Sequence, residues 1–266
     1  MTSKEFARQI KLYSLGMVHR ANSSHIGGAF SMTDVLAVLY HDVMHYEAAQ
    51  PLKADRDRLL LSKGHCCTAL YAALGLKGFF DIAELETYGL NGSRFLTHIT
   101  HHVPGVEISA GSLGHGLSIA CGIALGAKRK GENFKTYCIV GDGEMDEGSN
   151  WEALMLAAHH KLDNLCLIID YNKIQSLGAT NEVLNLEPLH AKLEAFNWHV
   201  IEIDGHNHEQ ILDAFQRIGR EGKPTVIIAH TVKGKGVSFM ENRLEWHYKS
   251  PNAEQYEQAV KEVNAQ

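Results

Sequence analysis

Hydrophobic residues along this chain occur either in short continuous runs or at helical spacing. Apolar runs at residues 59–61, 137–140, 165–169, 200–203 and 225–229 predict five buried strands. Apolar residues that recur every three or four positions predict helices at residues 6–17, 66–74, 151–158 and 211–218. Alternating strands and helices are typical of a parallel sheet that is covered on both faces. The pattern therefore predicts an α/β fold, a doubly wound and mostly parallel sheet flanked by helices.

The N-terminal helical pattern is interrupted at residues 21–28, where polar residues and two glycines break the apolar spacing. A further helix is predicted through residues 35–39, with Ser31 or Thr33 as its N-cap. His25 is therefore expected in a turn between two helices. On spacing alone, a lone histidine in a loop is usually a surface residue.

An acidic glycine turn, Gly141-Asp142-Gly143, follows the strand at residues 137–140. The apolar positions after this turn predict a helix whose N-terminus lies beside Asp142, where free N–H groups would bind an anion. The next strand is followed by Asn172, thirty positions after Asp142. That interval fits one strand–helix–strand unit. The helix is predicted from Trp151, Leu154, Met155 and Ala158.

Asp142 and Asn172 would meet at the carboxyl edge of a parallel sheet, where such folds bind ligands. Their oxygens, together with phosphate oxygens, suit Mg²⁺, which prefers about six oxygen ligands. We therefore expect a diphosphate that Mg²⁺ bridges to the protein. An acidic glycine turn alone is more often an ordinary connection, and the pairing with Asn172 favours the ligand interpretation.

The segment from Gly141 to Asn172 resembles the thiamine-diphosphate-binding signature of transketolases, G-D-G followed after a similar interval by Asn. The resemblance implies the thiamine diphosphate-binding fold, as a diphosphate-binding (PP-type) domain. It makes the side chains of Asp142 and Asn172 and the carbonyl of Ile174 the metal ligands, with Ca²⁺ or Mn²⁺ as possible substitutes for Mg²⁺. It also places Gly143 and Glu144 beside the cofactor.

Three histidines gain roles from the same resemblance. The turn Ser-Ser-His-Ile-Gly-Gly is similar to one that lines the substrate channel of transketolases, which implies that His25 lies there. His65 ends the second signature, Ser-Lys-Gly-His, and would contact the diphosphate, although it could instead cap its own helix. His247 lies in a segment that resembles the family's closing loop and would lie over diphosphate and substrate.

Residues 95–117 carry further expected site residues. Three histidines within five positions, 98, 101 and 102, could form a metal site. The family has Gly-His-Pro ahead of Pro-Gly-Val-Glu, and this chain has Thr-His-Ile there. The resemblance therefore gives the substrate-binding role to His98, with His101 as the alternative. The glycine-rich loop that follows implies thiamine contacts from Gly111, Ser112 and Leu113.

Other positions either extend the resemblance or depart from it. Glu147 matches a family glutamate that forms hydrogen bonds across the dimer interface, although a carboxylate at a helix start has a simpler explanation. Ser176 and Leu177 replace the usual Asp-Gly, and Tyr248 stands where the family often has Gly. These departures affect the wall beside the thiazolium ring. The matches run from about residue 23 to residue 251.

Composition bounds these expectations. The 266 residues show no linker or repeat, so one domain over residues 1–266 is expected. A net charge of −6 predicts neither nucleic-acid nor membrane partners. The five cysteines form no C-x-x-C pair, which predicts free thiols. We therefore expect a cytoplasmic protein.

The resemblance implies the N-terminal subunit of a split transketolase. In transketolases the carboxylate that activates thiamine, the pyrimidine pocket and the cationic sugar-phosphate contacts belong to a second domain, and this chain ends at Gln266 without it. We expect a separate C-terminal subunit in an α₂β₂ assembly that transfers a two-carbon ketol unit from a ketose to an aldose. Two alternatives are the α-subunit of a thiamine-dependent 2-oxoacid dehydrogenase and a non-catalytic scaffold. Donor and acceptor sugars stay open. The expected catalytic residues are His25, His98, Glu147 and His247.

Overall fold

Five parallel strands form one sheet with the spatial order β1-β2-β3-β5-β4. The computed structural model describes residues 1–266. All five predicted strands are confirmed. They are β1 Arg58–Leu61, β2 Thr136–Gly141, β3 Leu165–Tyr171, β4 His199–Asp204 and β5 Thr225–His230.

Ten α-helices surround the sheet, and the helices predicted at residues 6–17, 66–74 and 211–218 are present. They are α1 Ser3–Ala21, α2 Ile26–Ser31, α3 Thr33–Val38, α4 Cys67–Leu76, α5 Gly116–Lys130, α6 Gly148–His159, α7 Thr180–Val183, α8 Leu189–Ala195, α9 His208–Gln216 and α10 Ala253–Asn264. A π-helical turn at Leu39–Val43 continues α3.

Side chains of the central strands point alternately into two hydrophobic cores. In β2, Tyr137 and Ile139 belong to the core beneath α1, α3, α4 and α9, whereas Cys138 and Val140 belong to the core beneath α5, α6 and α8. A strand that is buried on both faces reads as a continuous apolar run, which is why the sequence pattern identified it. The doubly wound α/β prediction is confirmed.

The predicted cap of the second helix is wrong. The chain enters α2 at Ile26, so the two glycines at residues 27 and 28 are helical and do not form a turn. Ser31 Oγ donates to the Gly28 carbonyl and Thr33 Oγ1 to the Ala29 carbonyl, so neither hydroxyl caps a helix start. His25 does lie in the turn between α1 and α2, in the left-handed region with φ of 73°.

The helix after the acidic glycine turn begins later than predicted. A 3₁₀ turn, Gly143–Asp146, follows Asp142, and α6 starts only at Gly148. The helix N-terminus is therefore not beside Asp142, and the predicted anion seat at that terminus is wrong. The apolar face is also shifted, since Met155 is 56% exposed while Ala153 and Ala157 are buried.

A third, smaller core holds the C-terminal segment against the N-terminal helices. It joins Trp246 to Ile26 and Phe30 of α2 and to Ala259 and Val263 of α10. Burial of Trp246 fixes the neighbouring His247 above α2. The five cysteines are buried and free, as predicted. None of the helices is both long enough and apolar enough to span a bilayer.

Candidate active site

The carboxyl ends of β1, β2, β3 and β5 surround a cavity of about 210 Å³. Its position is the one at which open α/β sheets bind ligands. Eleven of the thirteen predicted site residues line it. They are His25, His65, His98, Gly111, Leu113, Asp142, Gly143, Glu144, Asn172, Ile174 and His247.

A tight turn after β1 delivers His65 to the cavity. Gly64 packs so closely that an added Cβ would lie 2.1 Å from the Ala110 carbonyl oxygen. The Ile99 N–H donates to the Gly64 carbonyl at 3.0 Å, which places the neighbouring His98 beside the same turn. Glycine is required here by close approach rather than by φ. His65 does not cap α4, because neither the 3₁₀ turn nor α4 has a side-chain cap.

Four imidazoles converge on one side of the cavity. The ring of His25 lies 4.9 Å from that of His65, 5.8 Å from that of His98 and 5.0 Å from that of His247, measured between centroids. The His25 N–H donates to the His247 carbonyl, which ties the α1–α2 turn to the C-terminal segment. The structure thus brings together four histidines that are far apart in sequence.

The surroundings keep these imidazoles neutral. Burial, then His98 and Lys233, lowers the pKa of His25 from 6.5 to about 4. Burial and Lys233 lower the pKa of His247 to about 3. Burial and Lys63 lower the pKa of His65 as well. Lys233 Nζ donates to His247 Nδ1 at 3.0 Å, so the proton of this neutral ring is on Nε2.

We expect the free energy of unfolding of the cofactor-free chain to rise with pH between about 4 and 6.5. His25 has a folded pKa of about 4 against 6.5 when unfolded, so the unfolded state binds more protons there. Asp142 acts in the opposite sense, because burial and Asp170 raise its pKa to about 6. Three histidines outweigh one carboxyl group. Urea unfolding from pH 4.5 to 7.5 measures the slope, and a wild-type slope retained by a His25→Gln/His247→Gln variant would contradict this assignment.

Three oxygen donors lie together at the ends of β2 and β3. Asp142 accepts main-chain N–H bonds from Gly143 at 2.8 Å and Lys173 at 2.5 Å, which fix its carboxylate. Asn172 Oδ1 accepts from the Ile174 N–H at 3.1 Å, and its amide nitrogen donates to Asp170. A carboxylate, an amide oxygen and the Ile174 carbonyl suit a hard cation such as Mg²⁺. No cluster of three histidine, cysteine or acidic side chains forms a metal site, so the metal alternative for residues 98, 101 and 102 is wrong.

A buried ion pair, absent from the sequence interpretation, supports this edge. The ammonium of Lys63 bonds to the carboxylate of Asp170, and both are nearly inaccessible. Burial opposes the charged form of Lys63, but Asp170 outweighs it and raises the pKa of the lysine. Ser31 and Thr231 also donate to Asp170, each at 2.5 Å. A charged residue inside an apolar strand run is costly unless it is paired, and this signal could have identified Asp170.

Lys233 is a second functional candidate that sequence reasoning missed. Its ammonium donates to the Ile174 carbonyl at 2.8 Å, which shows that this carbonyl faces a site for positive charge. Burial, then Lys63, lowers the pKa of Lys233 to about 8. The nearby diphosphate of a ligand would favour its charged form. The repeated Lys-Gly pattern at residues 233–236 was the available signal.

Glu144 lines the cavity but has its carboxylate directed at the surrounding loops. It accepts from Ser62 Oγ and from the N–H groups of Gly114 at 2.9 Å and Gly141 at 3.2 Å. Burial raises its pKa. These contacts join three of the loops that form the site, and a direct bond from Glu144 to the cofactor stays a prediction.

Two predicted residues lie outside the cavity lining, and the choice between two histidines is resolved in position. Ser112 and Glu147 are exposed, with Glu147 directly before α6. His98 lines the cavity, whereas His101 is exposed and contacts Ser109 at 2.8 Å. The interface role of Glu147 and the thiamine contact of Ser112 stay predictions.

The positions at which the chain departs from the family pattern meet at the mouth of the cavity. The Tyr248 hydroxyl donates to the Ser176 carbonyl at 3.4 Å, and its ring lies 4.8 Å from that of His247. Ser176 lines the cavity, while Leu177 is 76% exposed. Tyr248 and Ser176 therefore form a bridge at one edge of the opening.

Comparison with known proteins agrees with this geometry. Residues 2–264 match the family described as transketolase, thiamine diphosphate binding domain. One of the two apulose-4-phosphate transketolase subunits of Phocaeicola vulgatus is 46% identical over 249 residues, which cover 93% of this chain and 89% of that protein. The 6-deoxy-6-sulfo-D-fructose transketolase subunit SqwG of a Clostridium species is 42% identical over 259 residues, covering 97% and 94%. The crystal structure of Campylobacter jejuni transketolase superimposes with a TM-score of 0.94 at 33% identity.

Fold and site together define a thiamine-diphosphate-binding domain, and the chain belongs to the transketolase family. Within that family it is a thiamine-diphosphate-dependent transketolase subunit, a transferase of ketol groups. It covers 43% of the length of the C. jejuni transketolase. The comparisons do not favour either alternative, the 2-oxoacid dehydrogenase subunit or the scaffold.

Proposed function

We propose that this chain forms the diphosphate-binding half of a split active site, and that ketol transfer requires a separate pyrimidine-binding subunit in an α₂β₂ assembly. One observation carries the proposal: both carboxylates that line the cavity are already engaged. Asp142 accepts two main-chain N–H bonds beside the Asn172 amide, and Glu144 accepts bonds from three loops. Neither is available to activate the aminopyrimidine of the cofactor.

The exposed surface of two packed helices fits a partner chain. Ile119 on α5 and Met155 and Leu156 on α6 are 41%, 56% and 44% exposed. Exposed apolar side chains on adjacent elements are typical of protein interfaces. Glu147 stands at the start of α6, where it would reach the same partner. Relatives of similar length are named as transketolase subunits, which supports a two-chain enzyme.

The chain's own groups account for cofactor binding. Asp142, Asn172 and the Ile174 carbonyl would hold Mg²⁺, and Lys233 and His65 would face the diphosphate. Gly111 and Leu113 would lie against the thiamine, with Ser112 in the same loop. Because the net charge is −6, local cations and metal rather than an overall field must attract this anion.

Bound thiamine diphosphate supplies the carbon nucleophile that adds to a ketose carbonyl. His25, His98 and His247 would hold the substrate hydroxyls and move their protons. Neutral imidazoles can both donate and accept, which suits hydroxyl groups that lose and regain a proton. His247 would donate from Nε2, because its Nδ1 accepts from Lys233.

The donor and acceptor are sugars or sugar derivatives that pass the bridge between Tyr248 and Ser176. Relatives are named for apulose 4-phosphate and for a sulfo-sugar, which supports a charged sugar as the substrate of this chain too. The group that recognises the sugar's charge would belong mostly to the partner, since Lys63 is bound to Asp170 and Lys233 faces the diphosphate end.

A mixing assay tests this function. The chain and its candidate partner are assayed, separately and together, with ketose and aldose pairs and in parallel with 2-oxoacids. We expect ketol transfer only in the mixture and no decarboxylation of 2-oxoacids. Transfer by the chain alone, or 2-oxoacid turnover by the mixture, would contradict the proposal.

A further inference from the structure

A second cavity, of about 290 Å³, shares no lining residue with the active-site cavity and is rich in cations. Lys4, Arg8 and Lys11 reach it from one face of α1, where residues three or four apart are neighbours. Lys235 reaches it from the loop after β5. Four cationic side chains therefore surround one small space in a protein whose net charge is negative.

Lys11 is the unusual member of this group. It is only 3% exposed, yet its ammonium makes a single hydrogen bond, to Gln266 Oε1 at 3.2 Å, and no ion pair. An ammonium has three protons to donate, and a buried charge without a counter-ion is costly. Lys63, the comparable buried lysine, is paired with Asp170. Burial lowers the pKa of Lys11, as expected for a cation that lacks its counter-ion.

The two carboxylates of the cavity are engaged elsewhere. Asp34 bonds to His206 Nδ1 at 2.7 Å and to His208 Nε2 at 3.2 Å. The Val232 N–H donates to His206 Nε2 at 2.9 Å, so the proton of a neutral His206 is on Nδ1 and directed at Asp34. Glu5 accepts from the N–H of Thr2 at 2.7 Å. Neither carboxylate forms an ion pair with Lys11.

We propose that this cavity binds a phosphate group, either inorganic phosphate or the phosphate of a small monoester. Lys11 forms the buried floor, and Arg8, Lys4 and Lys235 close around the ligand. Guanidinium and ammonium groups together match the several oxygens and the double charge of phosphate. The cavity volume leaves room for a small organic group beyond the phosphate.

The proposed site is connected to the active site through one loop. Lys235 lies two residues after Lys233, whose ammonium contacts the Ile174 carbonyl in the other cavity. The same loop is anchored where the Val232 N–H meets His206. A phosphate held by Lys235 would therefore contact the segment that carries an active-site cation.

Equilibrium dialysis with labelled inorganic phosphate tests the proposal, using the chain saturated with thiamine diphosphate and Mg²⁺ so that the first cavity is filled. We expect one saturable site in the wild type. Lys11→Met, which keeps the side-chain length, and Arg8→Gln should each weaken binding at least about 10-fold, because each removes a charge-assisted contact. Lys130→Gln, at an exposed lysine on α5, provides a control with the same change in charge and should bind normally.

Competition with glycerol 3-phosphate identifies the source of the phosphate group. Tighter binding than inorganic phosphate assigns the site to a monoester, and weaker binding assigns it to the free ion. Absence of saturable binding below about 10 mM would overturn the proposal. So would equal affinity in the wild type and in Lys11→Met. Retained thiamine diphosphate affinity in both variants verifies that they are folded.

Discussion

Asp142→Asn is expected to lower the affinity for thiamine diphosphate in the presence of Mg²⁺ by at least about 100-fold, or about 2.7 kcal/mol. The variant removes the only charged oxygen donor of the proposed metal site. The fold should survive, because an asparagine oxygen can still accept one of the two N–H bonds from Gly143 and Lys173. Burial and Asp170 raise the pKa of the native carboxyl to about 6, so its loss also removes an unfavourable buried charge.

Fluorescence or calorimetric titration of the cofactor, with and without Mg²⁺, measures this effect. Asp146→Asn is the matched control, because Asp146 lies in the same 3₁₀ turn, bonds to Gln175 and does not line the cavity. It should bind cofactor as the wild type does. Unchanged cofactor affinity in Asp142→Asn would remove the metal assignment.

Lys63→Met is expected to lower the free energy of unfolding by about 3–5 kcal/mol. It leaves the buried carboxylate of Asp170 without its cation, although Ser31 and Thr231 still donate to it. Asp170 also orients the amide of Asn172, so cofactor affinity should fall as well. Urea unfolding and cofactor titration measure the two effects separately.

The double variant Lys63→Met/Asp170→Asn distinguishes a lost contact from an unpaired charge. Since it removes both charges, it should recover at least half of the lost stability. Lys128→Met is the control, because its ion pair with Asp163 is exposed and should contribute less than about 1 kcal/mol. A double variant that is less stable than Lys63→Met would show that the pair is not the cause.

The fold was predictable because its strands are buried on both faces. Continuous apolar runs such as residues 165–169 give a clear signal, and all five strands were found. The start of α6 was not predictable in the same way. The 3₁₀ turn at residues 143–146 is fixed by long-range contacts, including Glu144 with Gly114, which local spacing does not contain.

The site was predictable where a motif carried it, and less so where tertiary contacts did. Asp142 and Asn172 followed from position at strand ends, and the four histidines followed from family resemblance. The partners of Asp170 come from residues 31, 63 and 231, which sequence spacing does not relate. Lys233 was missed because a lysine in a glycine-rich loop is ordinarily a solvated surface residue.

The central claim is that this chain holds the cofactor but does not complete the active site. Exchange of the C2 proton of thiamine diphosphate with deuterium, in the presence of Mg²⁺, tests it without any assumption about the substrate. We predict slow exchange with this chain alone and fast exchange once the partner subunit is added. Fast exchange by the chain alone would contradict the account, because it would show that the activating carboxylate belongs to this chain.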